Sequence, residues 1–168
     1  IAGLGRIGKA IARRCEAFGL SVAYYGRSRQ EGVDYPHFTD LTGLAAAVDV
    51  LILSMPGNAE TSRLVDAGVL QALGPQGVLI NVARGDIVDE DALLAALTDR
   101  TIAGAGLDVF VDEPRIRPEF TALRNVVMAP HIGSATVETR AAMGNLVVDN
   151  LRAHFSSGKA LTPVPETA

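Results

Sequence analysis

The feature that most constrains this fold is an alternation of short, strand-sized apolar runs with longer stretches of helical spacing. Strands joined by helices cannot return as hairpins. Each helix carries the chain back along the sheet, so successive strands run parallel and helices cover the faces. Strands are expected at Ile1–Leu4, Ser21–Tyr25, Val50–Ser54, Val78–Asn81, Ile102–Asp108 and Val126–Met128. Helices are expected between them. Ile7, Ile11, Cys15 and Phe18 form one stripe before the stop at Gly19. Leu41–Ala47 is a short helix, Glu60–Leu73 a longer one ended by Gly74-Pro75, and Asp89–Thr98 one with an acidic start suited to the positive end of its dipole. A long amphipathic helix is expected over Ser134–Phe155, capped by Ser134 or Thr136, with Met143, Leu146, Val147 and Leu151 on one face. An irregular tail, Leu161–Ala168, follows. This pattern predicts an α/β doubly wound parallel sheet.

The bulk properties remove other classes. The chain has 168 residues, of which 48% are hydrophobic and 20% charged, enough to bury a core. Its net charge of -4 does not suit a surface that coats nucleic acid. No apolar run approaches the roughly 18 residues of a membrane span. Cys15 is the only cysteine, so no internal disulfide forms; it reads as a small buried apolar residue, and the expected compartment is reducing and cytoplasmic. Ile1 opens the sequence within what reads as a strand, so the chain is expected to be part of a longer protein.

Gly3-Leu4-Gly5-Arg6-Ile7-Gly8 fits G-x-G-x-x-G, lying after a strand and opening a helix. Gly3 would permit the tight turn, Gly5 would let backbone approach a pyrophosphate, and Gly8 would let the helix pack against the strand. The helix N-terminus then offers N–H groups and partial positive charge to phosphates. At the end of the second strand, an NAD site would place an acid against the ribose hydroxyls. Here the chain reads Tyr24-Tyr25-Gly26-Arg27-Ser28-Arg29, with no acid. Arg27, Ser28 and Arg29 would attract a 2′-phosphate that a carboxylate would repel. The expected cofactor is therefore NADP(H), with NAD(H) possible.

Three further segments follow strands four, five and six: Asn81-Val82-Ala83-Arg84-Gly85-Asp86, Gly106-Leu107-Asp108-Val109-Phe110 leading to Asp112-Glu113-Pro114, and Pro130-His131-Ile132-Gly133-Ser134-Ala135. All lie at the carboxyl ends of strands, where open α/β sheets bind ligands. Their order and spacing, with the glycine turn, resemble the D-isomer-specific 2-hydroxyacid dehydrogenase family across essentially the whole chain. The lack of an acid after strand two resembles its glyoxylate and hydroxypyruvate reductase branch.

That resemblance implies a catalytic trio of Arg84, Glu113 and His131. His131 would hold and release the proton, as a group of unperturbed pKa near 6.5 can. Glu113, in an acidic loop beside Asp112, would orient it. Arg84 would grip the substrate carboxylate. The resemblance also implies cofactor contacts: backbone amides of Arg6 and Ile7 at the pyrophosphate, Ser54, Pro56 and Thr61 on the adenosine side, Val82 and Ala83 near the nicotinamide ribose, Asp108 at the carboxamide, and Gly133. Ser54-Met55-Pro56-Gly57-Asn58 departs from the commoner His-Thr-Pro-Leu-Thr pattern there. His37 and His154 read as surface residues, and no metal site is expected. Residues 1–133 would form the nucleotide-binding domain, and 134–168 would belong to a split substrate domain whose N-terminal part is missing. The fragment alone would then bind NADP(H) but turn over little. A small 2-keto or 2-hydroxy acid substrate and a homodimer are implied, without nucleic acid or membrane. The resemblance leaves open another 2-hydroxyacid dehydrogenase, such as one acting on phosphoglycerate, or a nicotinamide-sensing corepressor-like interaction protein.

Overall fold

The computed structural model describes residues 1–164; the last four residues of the expected irregular tail lie outside the described residues. The chain divides into two compact units, Ile1–Pro130 and a second beginning at His131.

The first unit is an α/β domain. Its elements are α1 (Arg6–Ala17), β1 (Tyr24–Tyr25), β2 (His37–Phe38), α2 (Leu41–Ala46), β3 (Val50–Leu53), α3 (Ala67–Leu73), β4 (Val78–Asn81), α4 (Glu90–Thr98), β5 (Gly104–Leu107), α5 (Pro118–Ala122) and β6 (Val126–Met128), with a 3-10 turn at Gly85–Ile87. β3, β4, β5 and β6 pair in that order, all parallel, and β1 pairs with β2 in parallel. The opening residues join these groups. Ala2 bridges Tyr25 on one side and Leu53 on the other. Its amide donates to the Ile52 carbonyl at 2.7 Å, its carbonyl accepts from the Ser54 amide at 2.9 Å, and the Tyr25 amide donates to the Ile1 carbonyl at 3.0 Å. The strand order is thus β2, β1, the Ala2 segment, β3, β4, β5, β6. The direction of chain progression reverses at Ala2, which makes this the topological switch point.

Strand alternation explains the helices on both faces. Ile1 and Tyr24 enter one core with Leu4 of the glycine turn and Ala12 of α1. Their neighbours Ala2 and Tyr25 pack into or against the larger core, which holds Leu51, Leu53, Leu79 and Leu107 with residues of α2, α3 and α4. The sheet is therefore doubly wound, as expected.

Several boundaries differ from expectation. Residues 60–66 are not helical: the Arg63 amide donates to the Asp86 carbonyl at 2.7 Å, and Val65 exchanges bonds with Ile87 and Asp89, so this backbone pairs sideways with another segment. Helix α3 starts only after Asp66, whose carboxylate accepts from the Val69 amide at 3.0 Å. The expected second and fifth strands shorten to the residues that find partners. The buried line of α1 is Gly8 and Ala12, while Ile7 and Phe18 are exposed and Ile11 is half-buried. Small residues face the sheet because the helix lies close to it. Cys15 is half-buried. β2 and α5 were not expected; both are too short to carry a period.

The second unit contains α6 (Val137–Ser157), whose N-cap Thr136 accepts from the Thr139 amide. None of its residues is buried, and the stripe Met143, Leu146, Val147 and Leu151 is exposed. Asn150 ties the following segment to the helix through Thr162, accepting from its amide at 2.9 Å and donating to its hydroxyl at 3.0 Å. Among the described residues, no helix is long and apolar enough to cross a membrane.

Candidate functional site

The glycine turn leaves the switch point and enters α1. Gly3 has φ +90°, in the left-handed region, and a Cβ there would meet the Met55 backbone at 2.8 Å. A Cβ on Gly8 would run into the Gly3 carbonyl oxygen. Gly5 caps α1 with extended backbone and no side chain, and the space where its Cβ would stand is open. The first turn of α1 carries no acid. The result is a backbone cradle at a helix N-terminus, clear of side chains and favourable to negative charge. That is what a dinucleotide pyrophosphate requires, so the residues present fit the group.

Ser54 supports the cradle from beneath. Its hydroxyl donates to the Gly3 carbonyl at 2.7 Å, and it stands under Gly8. Beside the turn lies a cleft of about 220 Å³, lined by Gly3, Tyr25, Gly26, Arg27, Pro56 and Thr61 among others. Thr61 donates from its hydroxyl to the Pro56 carbonyl at 3.0 Å and accepts from the Asn58 amide, which shapes that wall. Arg27, Pro56 and Thr61 thus share one cleft. Ser28 and Arg29 are exposed on the same loop.

Two residues to which the sequence assigned no part in the site hold this loop. The Tyr24 hydroxyl accepts from the Gln30 amide at 2.8 Å. His37 Nε2 bonds the Gly26 carbonyl at 2.8 Å, and its ring stacks on Tyr24 with centroids 4.9 Å apart. His37 is half-buried, so the expectation of a surface histidine is corrected: β2 places it against β1, where it closes the loop. His154 is exposed, as expected. Asn58 and Glu60 were missed too, because Glu60 meets Arg27, and Asn58 joins the same cleft, only through the fold.

The loop after β4 is organised by Asn81, a buried polar residue at 1% exposure. Its Nδ2 donates to the Arg84 carbonyl at 2.9 Å and its Oδ1 accepts from the Ala83 amide at 3.0 Å. Buried amides are costly unless satisfied, so this pair fixes the loop. Val82 is exposed and Ala83 buried. Arg84 is exposed; its Nη1 donates to the Ala83 carbonyl at 2.6 Å, and its stem covers Gly57, where a Cβ would stand 2.9 Å from Cγ. Gly85 packs so closely on the Phe110 carbonyl that no Cβ fits.

The loop after β5 is tied by carboxylates. Glu113 accepts from the Phe110 amide at 3.0 Å, and Glu90 from the Val111 amide at 2.9 Å. Asp112 instead pairs with Arg115 through both oxygens, at 3.0 and 3.2 Å. Asp112 is thus paired with a cation, and Glu113 accepts from the backbone of its own loop. Asp108 is half-buried at the end of β5, its amide donating to the Asn81 carbonyl at 3.0 Å. His131 and Gly133 are exposed in the second unit, with His131 at φ +54°. Among the described residues, no cluster of three or more His, Cys, Asp or Glu side chains is placed to hold a metal.

Known proteins match this arrangement closely. Residues 1–133 match the family model described as the NAD-binding domain of D-isomer specific 2-hydroxyacid dehydrogenases. A solved structure, the NADPH-dependent glyoxylate/hydroxypyruvate reductase of Sinorhizobium meliloti in complex with NADP and malonate, is 58% identical, with TM-score 0.96 over 98% of this chain and 52% of that one. Glyoxylate/hydroxypyruvate reductase A of Arabidopsis thaliana is 50% identical over 98% of this chain and 52% of its own length. The 2-ketogluconate reductase of Gluconobacter oxydans is 53% identical over 98% of this chain and 53% of its own. The chain spans about half the length of these relatives. It belongs to the D-isomer specific 2-hydroxyacid dehydrogenase family, and residues 1–133 are that family's NAD-binding domain.

Proposed function

We propose that the full-length protein is an NADPH-dependent reductase that converts small 2-keto acids, glyoxylate and hydroxypyruvate foremost, to D-2-hydroxy acids. The observation that carries this reading is the cleft at the switch point: Arg27 stands in the same wall as Gly3 and Gly26, at a strand end without an acid. A guanidinium fork there favours a phosphorylated ribose over a bare one. The similarity to an NADPH-dependent reductase solved with NADP supports it. The related 2-ketogluconate reductase shows that substrate varies within the family, so glyoxylate and hydroxypyruvate are proposed on the weight of the reductase relatives.

The roles proposed for side chains follow their chemistry. Gly5, Arg6, Ile7 and Gly8 present backbone to the pyrophosphate. Pro56 and Thr61 hold the adenosine side, with Ser54 bracing the turn. Val82 and Ala83 lie beside the nicotinamide ribose, Asp108 accepts from the carboxamide, and Gly133 is a further cofactor contact. When bound, the reduced nicotinamide supplies the hydride taken up by the carbonyl carbon. Arg84 binds the substrate carboxylate through its donor fork and polarises the keto oxygen. His131 delivers a proton to that oxygen, and Glu113 stabilises the charged imidazole. Residues from 134 onward belong to the substrate domain, and the enzyme works as a homodimer in the cytoplasm.

The test is steady-state kinetics of the full-length protein on glyoxylate and hydroxypyruvate with NADPH. H131N should lower kcat by about 10²-fold or more, the usual worth of a positioned acid. R84A should raise KM for the keto acid and lower kcat/KM further. Unchanged kcat in H131N would overturn the mechanism, and absence of turnover in the wild type would overturn the function.

A further inference from the structure

Glu60 lies in the wall of the cleft that selects the cofactor, and nothing above uses it. Its carboxylate Oε2 stands 3.7 Å from Nη1 of Arg27, and both side chains are largely exposed, at 76% and 90%. Both residues line the cleft with Gly3, Tyr25, Gly26 and Thr61. Glu60 is not loosely placed along the chain. The Asn58 side-chain carbonyl accepts from the Glu60 amide at 2.9 Å and from the Thr61 amide at 3.1 Å, so the backbone carrying this acid is fixed at the cleft wall.

We propose that Glu60 sets the strength of preference for a 2′-phosphorylated dinucleotide by competing with the phosphate for Arg27. This inference rests on the NADPH reading above. A 2′-phosphate must displace the carboxylate from Arg27 and then remain near it, carrying about −1.5 to −2 charge of its own at neutral pH. Both consequences oppose binding. A bare 2′-hydroxyl meets neither, and as a donor it can bond the same carboxylate. Glu60 therefore acts in opposite directions on the two cofactors. It moderates a preference that Arg27, Ser28 and Arg29 create, and it keeps NADH usable. The acid that a site with an NAD preference would carry at the end of the second strand is here supplied, in weaker form, by a residue of another loop lining the same cleft.

The size of the effect follows from exposure. Charges a few ångströms apart at a protein surface are largely screened, so the change is a few-fold, not orders of magnitude. The experiment titrates full-length wild type, E60Q and R27A with NADPH, NADH, 2′-AMP and 5′-AMP at low ionic strength. E60Q should tighten NADPH and 2′-AMP about two- to fivefold and leave NADH and 5′-AMP unchanged or slightly weaker. The gain should shrink as salt rises. R27A should weaken the 2′-phosphorylated ligands selectively. An E60Q variant with unaltered ratios of NADPH to NADH and of 2′-AMP to 5′-AMP would overturn the role of Glu60 while R27A still reports on the arginine. A wild type that binds NADH more tightly than NADPH would overturn the cofactor reading, and the 2′-AMP ratio would then still decide for or against Glu60.

Discussion

The glycine turn and the arginine loop serve one cleft but are held in different ways. The turn is fixed from every side. Ala2 is hydrogen-bonded to Ile52 and Ser54, Ile1 and Gly3 on either side of it bond Tyr25, Gly3 presses on the Met55 backbone, Gly8 lies under the Gly3 carbonyl, and Ser54 bonds that same carbonyl. The loop is held at its base, by the Tyr24 hydroxyl, by His37 and by the Gly26 amide on the Phe38 carbonyl, and projects Arg27 into solvent against Glu60. On the proposed reading, phosphate binding is built from backbone and tolerates little change, whereas cofactor choice is built from exposed side chains and can be altered in steps. Backbone complementarity gives a nearly all-or-none response. Exposed charge gives a graded, salt-dependent one.

The largest effect is expected where backbone has no room. In G8V the added side chain collides with the Gly3 carbonyl, and α1 must shift away from the sheet. Overpacking of this kind costs about 1–3 kcal/mol in stability. NADPH and NADH affinity should both fall at least about tenfold, each 1.4 kcal/mol of lost binding being tenfold. A G8V protein that binds both cofactors normally would break the contrast at its rigid end. Replacing Arg27 and Arg29 together by alanine should leave the melting temperature unchanged and weaken NADPH about tenfold or more, with NADH within twofold. Equal losses for both cofactors would show that the loop acts as structure and not as a charge reader.

The smallest effect serves as a control away from both regions. Asp89 caps α4, accepting from the Asp91 and Ala92 amides, and bonds Arg63 at 2.5 Å. Its burial pulls its pKa upward, but the Ala92 amide and the Arg63 guanidinium outweigh that and hold it below the usual carboxylate value. A carboxyl depressed in the folded state adds stability above its unfolded pKa of about 3.9, and loses it as pH falls through the folded value. D89A should cost about 1 kcal/mol by thermal unfolding at neutral pH, with the cofactor ratio unaltered. The gap from wild type should narrow in acid below about pH 4. A gap that widens in acid would reverse the assigned sign.

Much of this was legible in the sequence, and the reasons are particular. β4 at Val78–Asn81 and β6 at Val126–Met128 stand where the apolar runs put them, and the glycine turn lies between a strand edge and a helix. The helical stripe of α1 was misread by one position, because Gly8 and Ala12 face the sheet through being small, not apolar. The helix expected from Glu60 was misplaced because residues 60–66 bond to 86–89, a pairing that local spacing does not record. In the site, the chemistry of the loop after the second strand singled out Arg27, and the family resemblance singled out Pro56 and Thr61; the three line one cleft. His37, Asn58 and Glu60 stayed hidden because their significance lies in contacts across the fold: a two-residue strand sets His37 on Tyr24, and an Asn58 turn sets Glu60 beside Arg27.

The most direct test of the central claim, that backbone cradle and arginine loop together make one site for a 2′-phosphorylated dinucleotide, is a pair of equilibrium titrations of the full-length protein. NADPH and NADH are compared at low and at moderate ionic strength. The account predicts that NADPH binds at least about tenfold more tightly at low salt, and that the advantage declines as salt rises while NADH binding stays level. Equal affinities, or tighter NADH binding at both salt concentrations, would contradict it.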